Sequence, residues 1–306
     1  MTQKYVWFIT GTSSGLGSSL LHEALSAGHS VVATTRKPAP LQAELDSKYD
    51  LGTLKRVLVL KLDVTDPEDV KAAFAKATEK FGRVDIVVNN AGYAIVAEVE
   101  AAPLEGAHAQ FDVMFWGPVH ISKEAMRIFR EVNPAGEGGA IFNISSSGGY
   151  NAQPNLAYYN AAKFALEGFT ESLRAESAPE WNIQATIIEP GGFNTEWRGG
   201  NLTILPQLPA YDNPKFPSSQ WRSMFDKIPF IGDRARAAKA FLILAEKRKE
   251  LPLRIQFGSD SLAVVRHTAK KTISDSEKWA AVSHSTNMEG IDPEEYTKNL
   301  LVALGS

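Results

Sequence analysis

Tyr159 and Lys163 stand four residues apart in residues 156–178, a stretch whose many alanines and leucines favour a helix. On a helix that spacing puts a phenol and an ammonium on one face. A free phenol titrates near 10 and is a poor proton shuttle at neutral pH. A neighbouring cation favours the phenolate and draws that value toward working pH. Such a tyrosine can give a proton to a nascent alkoxide or take one from an alcohol. Tyr158 has alanine, not lysine, four residues on, and it points about 100° around the helix, so it reads as packing or pocket wall.

The elements that must position this pair are read from the apolar runs. Residues 5–10 (YVWFIT) form a buried strand, followed by the glycine-rich turn Gly11-Thr12-Ser13-Ser14-Gly15-Leu16-Gly17 and a helix to Ala27. Strand, glycine turn and helix N-terminus together make a phosphate cradle, with free N–H groups and the positive end of the helix dipole. Residues 30–35 form a second strand. It ends in Arg36 and Lys37, where NAD-binding folds carry a carboxylate for the ribose 2′-hydroxyl. A guanidinium there grips a phosphate with two hydrogen bonds, which predicts NADP(H) over NAD(H). Further strands are expected at 56–62, ending at Asp63-Val64, and at 84–88, ending at Asn89-Asn90-Ala91-Gly92. Others are expected at 140–144, before a serine-rich turn, and at 183–188, before Glu189-Pro190-Gly191-Gly192-Phe193-Asn194-Thr195, with a last one at 253–257. Asp66 and Pro67 open a helix as N-cap and first residue. One long helix over 105–131 should kink at Gly117-Pro118. Strands alternating with helices give an α/β fold, a doubly wound, mostly parallel sheet with helices on both faces and ligands at the carboxyl ends of the strands.

The 306 residues carry a net formal charge of −3 and no basic run, which excludes a nucleic-acid footprint. There is no cysteine, so disulfides and thiolate chemistry are excluded, in keeping with a cytoplasmic protein. No leader sequence is seen before the first strand, and no apolar run reaches membrane-spanning length. The six histidines show no metal-ligand spacing. No repeat or linker divides the chain, so residues 1–306 read as a single nucleotide-binding domain. An ordered lid is expected over about 193–231 and a helical C-terminal extension over about 259–306. Phe193, Trp197, Leu202, Leu205, Tyr211 and Trp221 give that lid apolar bulk, which suggests an apolar substrate.

With these residues in view the chain resembles the short-chain dehydrogenase/reductase family, in its non-extended, Rossmann-type branch, over residues 5–257. The family's T-G-x-x-x-G-x-G is Thr10, Gly11, Gly15 and Gly17; its N-N-A-G is Asn89 to Gly92; its Y-x-x-x-K is Tyr159 and Lys163; its P-G-x-x-x-T is Pro190, Gly191 and Thr195. The family's serine usually lies thirteen residues before the tyrosine, which selects Ser146. The resemblance implies catalysis by Ser146, Tyr159 and Lys163. It implies a cofactor held by Gly11, Ser13, Ser14, Gly15, Leu16, Gly17, Arg36, Asp63, Val64, Asn90, Ala91, Gly92, Pro190, Gly191, Phe193 and Thr195, with Tyr159 and Lys163 also touching it. The implied reaction is reversible hydride transfer between NADPH and a ketone or aldehyde; the alternative is an NADP(H)-binding regulatory protein with vestigial catalysis. Members are often dimers or tetramers, which implies a homo-oligomer. One position departs from the family: Met114 stands where many members carry an asparagine that helps hold a water linking the lysine to solvent, and a thioether cannot do that well.

Overall fold

The computed structural model describes residues 3–195, 200–225 and 227–303. They fall into two compact units, divided between Val264 and Val265. In chain order the first unit contains β1 (Val6–Thr10), α1 (Gly15–Ser26), β2 (Ser30–Thr35), α2 (Pro38–Lys48), the short α3 (Leu51–Leu54) and β3 (Val57–Lys61). Then come α4 (Pro67–Phe81), β4 (Ile86–Asn89), β5 (Ala94–Val96), α5 (Leu104–Phe111), α6 (Gly117–Glu131) and β6 (Gly139–Ile144). The series continues with α7 (Ala157–Glu176), β7 (Ile183–Pro190), β8 (Leu202–Ile204), α8 (Pro217–Phe225), α9 (Arg234–Glu246), β9 (Arg254–Phe257) and the start of α10 (Ser259–His284). The rest of α10 and α11 (Pro293–Ala303) form the second unit.

Seven parallel strands form the main sheet in the order β3-β2-β1-β4-β6-β7-β9. The residues of β1 alternate between its two faces. Trp7 and Ile9 join one core with Leu20, Leu21 and Leu25 of α1 and Phe241 of α9. Phe8 joins the other with Phe74 of α4 and Ile128 of α6. Burial on both faces is why the strands read as continuous apolar runs. The order reverses between β1 and β4, so the crevice for a ligand opens there, at the carboxyl ends of the strands. The expected helix signals are present: the Asp66 side chain accepts from the N–H of Glu68 at 2.9 Å, Pro67 follows, and Gly82 closes α4 at φ +76°.

Two expectations change. The long helix is interrupted not at Pro118 alone but by a π-helical turn, Asp112–Trp116, lying between α5 and α6. Pro118 falls near the start of α6, directly after the π-helical turn. The lid is not irregular throughout. It contains β8, which pairs in parallel with β5 in a separate two-stranded sheet, and α8. Its ends are stapled together, Phe193 bridging to Gly232 and the N–H of Gly232 donating to Gly192 O at 2.9 Å.

Candidate active site

A cavity of about 1060 Å³ runs along the carboxyl edge of the sheet. At one end lies the glycine turn. Gly11 and Gly15 sit at φ +68° and +61°, which an L side chain adopts only with strain. Asn90 braces the turn from β4: its Nδ2 donates to Thr10 O at 2.9 Å and to Gly11 O at 3.1 Å. The Thr10 hydroxyl returns the contact, accepting from the backbone N–H of Asn90 and of Ala91 at 2.9 and 3.1 Å. Ser14 caps α1 without a side-chain hydrogen bond and no acid lies in the first turn, so the N-terminus of α1 offers its donors and dipole to the cavity. An anionic phosphate fits that end.

Arg36 lines the cavity beyond the end of β2, exposed and in no salt bridge among the described residues. Asp63 lines it too, with its Oδ1 turned into its own loop: it accepts from the N–H and hydroxyl of Thr65 at 3.0 and 2.8 Å. Those bonds, the backbone one foremost, hold the Asp63 carboxyl below its ordinary range against the effect of burial.

At the middle of the cavity stand Ser146, Tyr159 and Lys163. Ser146 follows β6 and is fixed because its Oγ accepts from the N–H of Gly148 at 3.0 Å. It hydrogen-bonds the Tyr159 phenol. Lys163 is buried, with Nζ donating to Ile144 O at 2.7 Å and lying 5.8 Å from the centre of the Tyr159 ring. Burial pushes the ammonium down to about 8, opposed by the charge of Glu167. The expectation of a phenol acidified by Lys163 does not hold in the free protein. Burial pushes Tyr159 up, and the Ser146 bond only partly opposes it. A cation that is itself desolvated, and bonded to a backbone carbonyl rather than to the phenol, does not outweigh the loss of water around the hydroxyl.

Of the other residues predicted to hold a cofactor, all but one line this same cavity. Ser13, Gly15, Leu16, Val64, Gly92, Pro190, Gly191, Phe193 and Thr195 all line the cavity; Gly17 does not. Its role is packing: a Cβ at Gly17 would collide with Gly11 O and the Asn90 amide, so glycine lets α1 close on the turn. Of the apolar lid residues, Phe193 and Trp221 reach the cavity; Leu205 and Tyr211 do not; Leu202 packs beside Ala94, Val96 and Leu156; Trp197 lies outside the described residues. Tyr158 donates to Val99 O at 3.2 Å, away from the cavity. Met114, in the π turn, is fully buried and lines the cavity, its thioether facing Gly92.

Sequence reasoning missed several residues here. Asp260, at the start of α10, accepts from the N–H of Gly192 at 2.7 Å and so holds the turn after β7. Asn89 donates to Asn143 at 2.7 Å and Asn143 to the Thr170 hydroxyl at 2.8 Å, a buried ladder that ties β4 and β6 to α7. Gln153 lines the cavity from the loop before α7, and Met224, Phe225 and Ile228 line it from the lid. The helical stripe Trp221, Met224, Phe225 and Ile228 was the signal available for the lid. Nothing in spacing marks Asp260 or Gln153.

A nucleotide-sized groove at the switch point of a parallel sheet, with a tyrosine, a serine and a lysine at its centre, defines a nicotinamide-dependent α/β oxidoreductase. Residues 5–202 match the short chain dehydrogenase family model, and the chain belongs to that family. It is 38% identical over 287 residues to an oxidoreductase of Schizosaccharomyces pombe, covering 93% of this chain and 92% of that one. It is 31% identical over 259 residues to a 3-ketodihydrosphingosine reductase of Bacteroides thetaiotaomicron, 84% and 88% of the two chains. A short-chain dehydrogenase of Streptomyces avermitilis superposes with a TM-score of 0.82 at 29% identity, covering 94% of this chain and all of that one. Among the described residues no helix is long and apolar enough to cross a membrane.

Proposed function

We propose that this protein is a cytoplasmic NADP(H)-dependent reductase that interconverts an apolar ketone or aldehyde and its alcohol. The observation that carries the proposal is the convergence of Ser146, Tyr159 and Lys163 on the lining of a cavity that continues to Arg36, which is in no salt bridge among the described residues. The dinucleotide would lie with its pyrophosphate at Gly11–Gly15 and the N-terminus of α1, its 2′-phosphate at Arg36, and its nicotinamide end at Pro190 to Thr195. When bound, it supplies the hydride.

The protein's own part is position, field and a proton. Ser146 and Tyr159 are hydroxyl donors already in contact, aimed at one substrate oxygen as negative charge grows on it. The raised pKa of Tyr159 keeps the phenol protonated at neutral pH, so it stands ready as an acid. Transfer to an alkoxide, which is far more basic than a phenolate, remains downhill. Lys163, pushed down to about 8, still carries its charge at pH 7 and adds positive potential behind the phenol. The apolar lid residues Trp221, Phe225 and Phe193 support an apolar substrate, as does the sphingoid ketone in the Bacteroides relative's name.

The test is NADPH oxidation against ketones, aldehydes and quinones, with the product identified. Tyr159→Phe should bind NADPH as the wild type does and lose about 1000-fold in kcat. Wild-type turnover in that variant would remove the proposal, as would a product of unchanged oxidation state. Arg36→Ala should cost about tenfold or more in kcat/KM for NADPH and little for NADH, the loss of one bidentate charge-assisted contact. Equal efficiency with both cofactors in the wild type would remove the NADP(H) assignment.

A further inference from the structure

Gln153 projects from the loop that joins the Ser146 turn to α7, and that loop is held rigidly. Its backbone carbonyl accepts from Asn160 Nδ2 at 3.0 Å. Two residues on, Asn155 takes a left-handed conformation at φ +63°. Its Nδ2 donates to Ser218 O at 3.0 Å, and its backbone carbonyl accepts from the N–H of Ala97 at 2.9 Å. The facing helix α8 is equally fixed. Arg222 makes a two-pronged bond to buried Glu98, Nε to Oε1 at 2.9 Å and Nη2 to Oε2 at 3.0 Å. The Ser218 hydroxyl sits between Glu98 Oε1 and Asn155 Oδ1, at 2.8 and 2.7 Å.

Across the space between loop and helix, Trp221 Nε1 donates to Gln153 Oε1 at 3.1 Å. This bond settles the orientation of the amide. An indole N–H is a donor only, so the carbonyl oxygen of Gln153 must face it and the NH2 must face away. That NH2 has no hydrogen-bond partner among the described residues, and Gln153 lines the cavity. The surfaces around it are apolar: Trp221 and Phe225 stack with ring centres 4.6 Å apart, and Met224 and Ile228, each about half exposed, continue the same stripe of the lid along the cavity. Gln220, another amide that lines the cavity from the lid, is exposed and has its own NH2 on Lys215 O. Ser146 and Tyr159 are committed to the reacting oxygen.

We propose that Gln153 selects the substrate, its side-chain NH2 donating to a second oxygen on an otherwise apolar carbonyl compound. This deepens, and rests on, the reductase reading above. A monoketone that fills the apolar lid takes water from the amide and leaves its NH2 unpaired, whereas a compound with a second acceptor in reach satisfies it. The geometry therefore favours ketones carrying a further carbonyl, ester or hydroxyl oxygen over plain ketones of the same length by about ten- to a hundredfold in kcat/KM.

The experiment compares 2-decanone with decanediones whose second carbonyl is walked from position 4 to position 9. It measures kcat and KM with NADPH and, separately, affinity for the NADPH-loaded protein by calorimetry. The wild type should prefer at least one dione by tenfold or more, with the gain in KM and in affinity. Gln153→Glu keeps an acceptor for the Trp221 N–H but has no donor, and Gln153→Met keeps length without either. Both should bind NADPH normally and lose the preference, the advantage of the dione vanishing from KM and from affinity alike. Trp221→Phe frees the amide to turn and should weaken the preference without abolishing it. Equal affinity of the wild type for diones and monoketone overturns the proposal, as does a preference that survives in Gln153→Glu. The calorimetry separates this failure from that of the reductase reading, which shows instead as absent turnover with ligand binding intact.

Discussion

Replacing Glu167 by glutamine should make the protein more stable at pH 8 and remove part of its dependence on pH. Glu167, one helical turn beyond Lys163, is 3% exposed, and Glu189 from β7 is fully buried beside it. Ser145 Oγ donates to Glu167 Oε1 at 2.6 Å and Gln256 Nε2 to Glu189 Oε2 at 2.6 Å. Arg254 from β9 reaches Glu167 at 3.3 Å, Glu189 at 3.6 Å and Glu171 at 3.0 Å. One guanidinium thus serves three carboxylates, and the two buried ones lie close enough to interact, which favours a proton on the pair. Burial, then the charge of Glu189, pushes Glu167 from 4.5 up to about 7 against the pull of Ser145 and Arg254; Glu189 is raised as well, again mainly by burial. The folded protein therefore holds a proton that the unfolded chain releases near 4.5. Its contribution is fully present below that pH and is lost as pH rises through about 7. At about 1.4 kcal/mol per unit the loss is about 3 kcal/mol. A glutamine keeps an acceptor for Ser145 and brings a donor that never titrates to the side of Glu189, whose Oε1 has no hydrogen-bond partner among the described residues. The assay is thermal unfolding of both proteins from pH 4.5 to 8.5. The variant should gain on the wild type with rising pH, reaching about 6 °C at pH 8 at roughly 2 °C per kcal/mol. A wild-type-minus-variant difference that stays flat across this range, or a variant less stable at pH 8, refutes the shared proton.

The same titration carries a contribution of opposite sign from His29, so only difference curves isolate either group. The His29 ring is buried and accepts from the N–H of Tyr5 at 3.1 Å; burial, aided by Lys4 and Arg56, pushes it down to about 4. Its contribution is present above the ordinary value of 6.5 and is lost as pH falls toward 4, about 3 kcal/mol in all. His29→Asn keeps an acceptor without a titrating ring and should flatten the acid limb of the unfolding curve. Gly17→Ala drives a methyl into the Gly11 carbonyl and should weaken NADPH binding by tenfold or more, read by calorimetry, with a lower unfolding temperature.

What the chain made legible was what short stretches decide. A turn that needs positive φ demands glycine at Gly11 and Gly15, and a helix opening demands Asp66 and Pro67. Strands buried on both faces have to be apolar throughout, so the strands could be read from their apolar runs and Tyr159 and Lys163 from their spacing, whereas Ser146 was singled out of its serine-rich turn only by the family resemblance. The two-stranded β5–β8 sheet could not be read this way. Each strand is three residues long, and each owes its existence to the other rather than to any local preference. The π turn escaped for a related reason: Gly117 and Pro118 announce a break, but how the backbone absorbs it depends on packing around Asp112–Trp116.

The electrostatics show most clearly where spacing stops being informative. Four residues between Tyr159 and Lys163 fix that the two share a helix face, and from that alone a cation beside a phenol should acidify it. Whether it does depends on how much water both groups lose, which is a property of β6, the Ser146 turn and the lid folded over them. With that loss included, the phenol rises, the ammonium falls to about 8 and Glu167 rises to about 7, and burial is the largest cause of all three shifts. Each shift favours the neutral form, as a low-dielectric pocket must. The free protein therefore waits with its phenol protonated. A reductase needs that state at the start of a turnover, and the alcohol-oxidising direction needs the opposite one. Turnover measured in both directions against pH should show oxidation rising steeply above pH 8 while reduction does not; parallel profiles would contradict a phenol held neutral by burial.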